Sequence, residues 1–108
     1  MAKISFEEFA KIDIRTGKVI EAILVPGSKK LIKLQVNVGG EVKQCIAGLG
    51  ETYSPQNLQS KAVVVVMNLQ PRKIFGLESE VMLLAAAENR QISLLTPDKE
   101  LSPGSTIS

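Results

Sequence analysis

Residues 62–67 read Ala-Val-Val-Val-Val-Met. The run is apolar on both phases of a two-residue repeat and β-branched at four successive positions. It predicts a strand buried on both faces. Residues 81–87, Val-Met-Leu-Leu-Ala-Ala-Ala, predict another. Between them lies an elbow, Asn68-Leu69-Gln70-Pro71-Arg72-Lys73-Ile74-Phe75-Gly76-Leu77-Glu78-Ser79-Glu80. It holds a proline, two adjacent cations, a glycine and a short acidic-hydroxyl run. Core strands on both sides would fix such an elbow rigidly, and rigid exposed polar groups are what a binding site needs.

At 108 residues the chain is expected to be one domain with a real core. With 44% hydrophobic and 22% charged residues it reads as globular rather than disordered. The single cysteine, Cys45, excludes an internal disulfide and fits a reducing compartment. No signal-peptide pattern and no apolar run of about 18 residues occurs. A cytoplasmic protein with no membrane partner is expected.

The net charge is +2, but it is unevenly spread. Lys29, Lys30, Lys33, Lys43, Lys61, Arg72 and Lys73 face only Glu41 and Glu51 across residues 29–73. Residues 1–28 balance, and residues 74–108 are net acidic. If the fold gathers the central cations on one face, that face binds anions. Otherwise they are simply solvated lysines.

In chain order, Ser5-Phe6-Glu7-Glu8 is a capping box that starts a short helix running to about Lys11, with Phe6 and Phe9 on one face as candidate core. Residues 12–25 are strand-like but change phase near Gly17, which predicts a bulge or a bent strand, as barrel closure demands. Pro26-Gly27-Ser28 is a turn. Residues 31–38 alternate, with Ile32, Leu34, Val36 and Val38 on one face and Lys33, Gln35 and Asn37 on the other. Gly39-Gly40-Glu41 reverses the chain, and residues 42–47 return as the second arm of a hairpin. Ser54-Pro55-Gln56-Asn57-Leu58 predicts one capped helical turn. Residues 92–95 form a short strand after a turn at Glu88-Asn89.

Five strands, a bent first strand and a helical turn between the third and fourth predict an all-β fold. A small closed barrel of the oligonucleotide/oligosaccharide-binding (OB) type is the leading plan, and an open sandwich its competitor.

Catalysis finds little support. There is no histidine, the commonest general base and metal ligand. Cys45 has no such partner to activate it and reads as a small buried hydrophobe. Glu78 and Glu80 share a strand face, but cation pairing suits them better than acid–base work. No phosphate loop or Cys-x-x-Cys pair is present, so neither a metal nor a cofactor is expected. Three phenylalanines, one tyrosine and no tryptophan offer few platforms for stacking single-stranded bases. Only Phe75, and less so Tyr53, could meet a base; Phe75 could equally anchor the elbow in the core. Such a chain suits the shape and phosphates of folded RNA.

Several segments in order carry a family resemblance: Asp13-Ile14-Arg15-Thr16-Gly17-Lys18-Val19, residues 28–34, Ala47-Gly48-Leu49, Tyr53-Ser54-Pro55, the elbow, and residues 94–99. Together they resemble the tRNA-binding domain at the C-terminus of many methionyl-tRNA synthetases, which also exists as free-standing structure-specific tRNA-binding proteins. The most specific part is the elbow pattern Asn-x-x-Pro-Arg-Lys-x-x-Gly-x-x-Ser-x-x-Met, Asn68 to Met82.

The resemblance implies an OB barrel with a short N-terminal helix (residues 1–87) and a C-terminal extension (residues 88–108) contributing to a homodimer. It implies non-catalytic binding of folded tRNA, free-standing or beside a methionyl-tRNA synthetase catalytic chain. Met1 directly ahead of the helix favours the free-standing form. By likeness, Lys30, Lys33, Asn68, Arg72, Lys73, Ser79 and Met82 are the nucleic-acid-binding positions. Arg72 and Lys73 suit phosphates, Asn68 and Ser79 neutral hydrogen bonds, and Met82 a soft apolar contact. Met82 could instead pack in the core, and Ser79 could cap the elbow's own backbone. Val81 departs from the family, where glycine is common; valine there restricts the backbone and adds bulk beside the site. A Ser-Glu-Val run also occurs in the secretion-related chaperone branch of the superfamily, dimers that bind peptides. That branch is the alternative reading.

Overall fold

The computed structural model describes residues 1–108. Helix α1 (Phe6–Ala10) is set by the expected capping box: the Ser5 hydroxyl accepts from the Glu8 N–H, and the Glu8 carboxylate accepts from the Ser5 N–H, both at 3.1 Å. Phe6 and Phe9 are a correction. They are 78% and 39% exposed, so neither is core. Their i, i+3 spacing gives them one face, but the chain lays nothing over it.

Strands β1 (Ile14–Leu24), β2 (Ile32–Asn37) and β3 (Val42–Ala47) precede helix α2 (Pro55–Leu58). Then come β4 (Ala62–Val66), β5 (Arg72–Ile74), β6 (Leu77–Ser79), β7 (Met82–Leu83), β8 (Ala85–Glu88), β9 (Gln91–Leu94) and β10 (Thr106–Ile107). The main sheet runs β3-β2-β1-β4-β7, all antiparallel. Within this order β1 changes partner along its length. Its first half, Ile14 to Lys18, pairs with β4, and Lys18 to Leu24 pairs with β2. A strand that changes partner along its length must coil, and that curls a sheet into a barrel.

The register breaks between Val19 and Glu21 rather than at Gly17. Gly17 serves packing instead: a Cβ there would sit 2.7 Å from a Val36 methyl.

Closure between β3 and the end of β6 with the residue after it uses a few hydrogen bonds, among them one from the Gln44 side-chain amide to the Glu78 carbonyl at 2.8 Å. The Glu80 N–H donates to the Gln44 carbonyl and its carboxylate accepts from the Gln44 N–H, both at 2.8 Å. The Ser79 hydroxyl accepts from the Ile46 N–H at 3.0 Å. The result is a nearly closed five-stranded antiparallel barrel of the OB type.

Val19, Ile32, Leu34, Val36, Val63 and Val65 fill the centre and are fully buried, and Leu58 of α2 is equally buried. Val64 and Val66 are buried on the other phase, as the valine run predicts. Residues 81–87 are only partly as expected. Val81 is core and β7 pairs with Val65 and Val66, but all four residues of β8 are exposed, in a separate hairpin with β9. Alanine side chains carry too little area to mark a core strand by themselves.

The C-terminal tail is sewn to the barrel. β10 pairs with Ile14 and Arg15, and the Thr16 hydroxyl donates to the Ser102 carbonyl and accepts from the Ser105 N–H, each at 3.0 Å.

Candidate nucleic-acid interface

β5 and β6 form a ribbon standing against the outside of the barrel wall. Its register is Arg72↔Ser79, Lys73↔Glu78 and Ile74↔Leu77. Facing partners share a side, so Arg72, Ile74, Leu77 and Ser79 face one way, and Lys73 and Glu78 the other. The inner side covers Ile46, which is why an outward residue of β3 is buried. Between ribbon and wall lies a groove of about 130 Å³, with Cys45, Ile46, Val81 and Leu83 on its floor and Gln70, Arg72 and Met82 among its walls. Burial pushes the Cys45 thiol up, outweighing opposing hydrogen bonds from Leu83 and Ser79, so it is no activated nucleophile.

One cross-strand line runs through the expected site. Lys33 pairs with Ile46, the Ile46 N–H donates to Ser79, and Ser79 pairs with Arg72. Three strand spacings of ~4.8 Å put Lys33 and Arg72 roughly 15 Å apart along this line. Lys30 follows the β1–β2 turn, where Gly50 pins it. The Gly50 N–H donates to the Lys30 carbonyl at 2.7 Å, and a Cβ on Gly50 would meet that backbone at 2.9 Å.

None of Lys29, Lys30, Lys33, Arg72 or Lys73 has a carboxylate within 4.0 Å; the two ion pairs are Arg15–Asp13 and Lys43–Glu41. The structure thus brings Lys30, Lys33, Arg72 and Lys73 to the β1–β2 turn, the adjoining wall and the ribbon. Lys73 projects from the ribbon's other side.

Asn68 and Ser79 are engaged internally. The Asn68 side-chain carbonyl accepts from the Asp13 N–H at 2.8 Å, and its amide donates to the Lys11 carbonyl at 2.6 Å, clamping the link from α1 to β1. Ser79 helps to close the barrel and also contacts its own Val81 carbonyl at 3.4 Å. Replacing Ser79 by alanine is therefore expected to cost about 1–2 kcal/mol by leaving the Ile46 N–H unpaired. A urea melt should show a lower midpoint at unchanged slope; an unchanged midpoint would remove Ser79 from the closure. Met82 is half-exposed beside the groove. Val81 fits because its φ is not left-handed and its side chain joins the core cluster.

Gln44 and Glu80 hold the ribbon's base but carry no sequence signal. Their bond joins residues 36 apart, and periodicity does not report such pairs.

A nearly closed OB barrel with cations free of ion pairs on one turn and ribbon has the make-up of a polyanion-binding module. The chain belongs to the family whose model is described as "Putative tRNA binding domain", which matches residues 14–106. It is 47% identical over 105 residues to a methionine–tRNA ligase of Caldanaerobacter subterraneus subsp. tengcongensis, a match covering 97% of this chain and 16% of that relative. The chain thus spans about a sixth of the length of that curated relative. Among solved structures it is similar to a MetRS-related protein from Pyrococcus horikoshii, with TM-score 0.93, 31% identity and full coverage of both chains. It is also similar to the chaperone CsaA from Bacillus anthracis, with TM-score 0.90, 34% identity and coverage of 99% and 100%.

Proposed function

We propose that this chain is a non-catalytic tRNA-binding module in the cytoplasm that recognises the folded shape and phosphates of tRNA. It would act as a homodimer, free-standing or beside a methionyl-tRNA synthetase catalytic chain. The observation that carries the reading is the set of cations left without carboxylates on a rigid frame, in a member of a tRNA-binding family. Lys30, Lys33, Arg72 and Lys73 contact phosphates, and Met82 offers an apolar contact. Asn68 and Ser79 act chiefly by holding the elbow in place, with their remaining hydrogen-bonding capacity open to RNA. Tethering such a site to a synthetase raises the local tRNA concentration without touching the chemistry.

The dimer is supported by apolar surface that the chain leaves bare. Phe6, Phe9 and Ile12 are exposed, an apolar groove runs past Ile12, Leu69 and Leu84, and β8 is uncovered along its length. A lone two-stranded hairpin such as β8–β9 is marginal in water; a second copy of the chain would cover it.

Folded tRNA should be retarded in a mobility shift more strongly than unfolded single-stranded RNA of equal length. Four phosphate contacts per site should give a log–log salt slope of about −3. The mass in solution should be that of two chains. Equal affinity for both RNAs would reduce the site to a backbone binder, and no binding at low salt would end the reading.

The second reading, a peptide-binding chaperone, is favoured by the similarity to CsaA. Unfolded peptide that binds while tRNA does not would decide for it.

A further inference from the structure

Resting on the tRNA-binding reading, we propose that Phe75 is a stacking platform for one unpaired nucleobase. Phe75 and Gly76 are the two tip residues of the β5–β6 ribbon, with φ of 55° and 79°. Two left-handed residues in a two-residue loop make a type I′ turn, which favours asparagine, aspartate or glycine first. A phenylalanine there is strained, and such strain persists where a side chain must be presented in one direction.

The ring lies beside the β1–β2 turn. A Cβ built on Gly27, itself left-handed at φ 85°, would be at ordinary contact distance from the ring, 3.4 Å from its Cε2. One edge of the ring thus faces that turn, while 58% of the residue stays exposed.

What surrounds the ring selects the occupant. Lys29 and Lys30 follow Gly27, and Arg72 and Lys73 precede the tip, all without carboxylate partners. A flat apolar face among free cations is complementary to an aromatic ring carried on a phosphate backbone, which is a nucleotide of a single-stranded loop or end. The other aromatics are not placed for this. Tyr53 accepts from the Leu94 N–H at 3.1 Å and packs against the core with Lys61 over its ring, and Phe6 and Phe9 belong to α1.

The test uses the full chain with folded tRNA and three proteins: the parent, Phe75→Asn and Phe75→Trp. Asparagine suits the turn better, so the melting temperature should rise while tRNA affinity falls about tenfold, the scale of one lost base stack. The salt slope should stay that of the parent, because no phosphate contact is lost. Tryptophan should restore affinity. Parent-like affinity in Phe75→Asn, or tryptophan binding no better than asparagine, overturns the platform. A changed particle mass in Phe75→Asn with unchanged tRNA affinity would make the ring a contact between copies and likewise overturn it. A parent that binds no tRNA fails the broader reading first, and the platform falls with it.

Discussion

Replacing Arg72 and Lys73 together by alanine is expected to weaken the binding of folded tRNA on the order of a hundredfold at low salt. The figure is about tenfold for each charge-assisted contact with phosphate. Both residues are exposed and neither has a carboxylate within 4.0 Å, although Glu78 lies opposite Lys73, so their removal should not disturb the fold. They project from opposite sides of the ribbon. A bent polyanion must therefore pass around the ribbon to touch both, and their effects should add rather than substitute for one another. The signature beyond affinity is the salt dependence. Two lost contacts should flatten the log–log slope by about 1.6. Parent-like affinity and slope with the circular dichroism spectrum intact would mean that the RNA does not reach the ribbon.

Leu34→Ala should have the largest effect on stability. Leu34 is completely buried in the middle of β2. Its direct cross-strand partners are Ala22 on β1 and Cys45 on β3. Both are small, so neither can swing into the space that the missing isobutyl group leaves. Where a site cannot collapse, the loss lies at the upper part of the usual range, about 4 kcal/mol. For a domain of this size that corresponds to a fall in melting temperature of roughly 15 °C. The denaturant slope should be unchanged, since the same surface is exposed on unfolding. A shift of only a degree or two would show that the barrel centre repacks freely, against the close packing that the burial pattern implies.

Much of the frame was legible because its signals are local. The valine run of β4 is apolar on both phases and is buried on both. Strand β2 alternates cleanly, and the hairpin to β3 is folded at its Gly-Gly reversal. Both short helices begin at N-cap serines legible in the sequence, Ser5 with its capping box and Ser54 with Pro55 after it. What escaped depends on contacts between distant residues. Phe6 and Phe9 share a face, but spacing cannot say whether the same chain covers it. Gly17 looked like the bulge, whereas the packing of Val36 explains the glycine and the register shifts at the next turn of β1. The elbow is legible as a unit, and the structure places Arg72 and Lys73 on opposite sides of its ribbon, beside the wall that carries Lys33. The internal duties of Asn68 and Ser79 were harder to see: a polar side chain at a binding motif and one that ties two loops together look the same in sequence. Val81, where the family often has glycine, is accounted for by its burial in the core cluster.

β10 lies beside the start of β1, with Ile107 directly opposite Ile14. The barrel's entry and exit thus sit one strand apart. A domain with adjoining entrance and exit can be appended to a host, or spliced into one of its surface loops, while asking that host to separate its own chain by only about 5 Å. Such geometry makes the unit portable between hosts of different size.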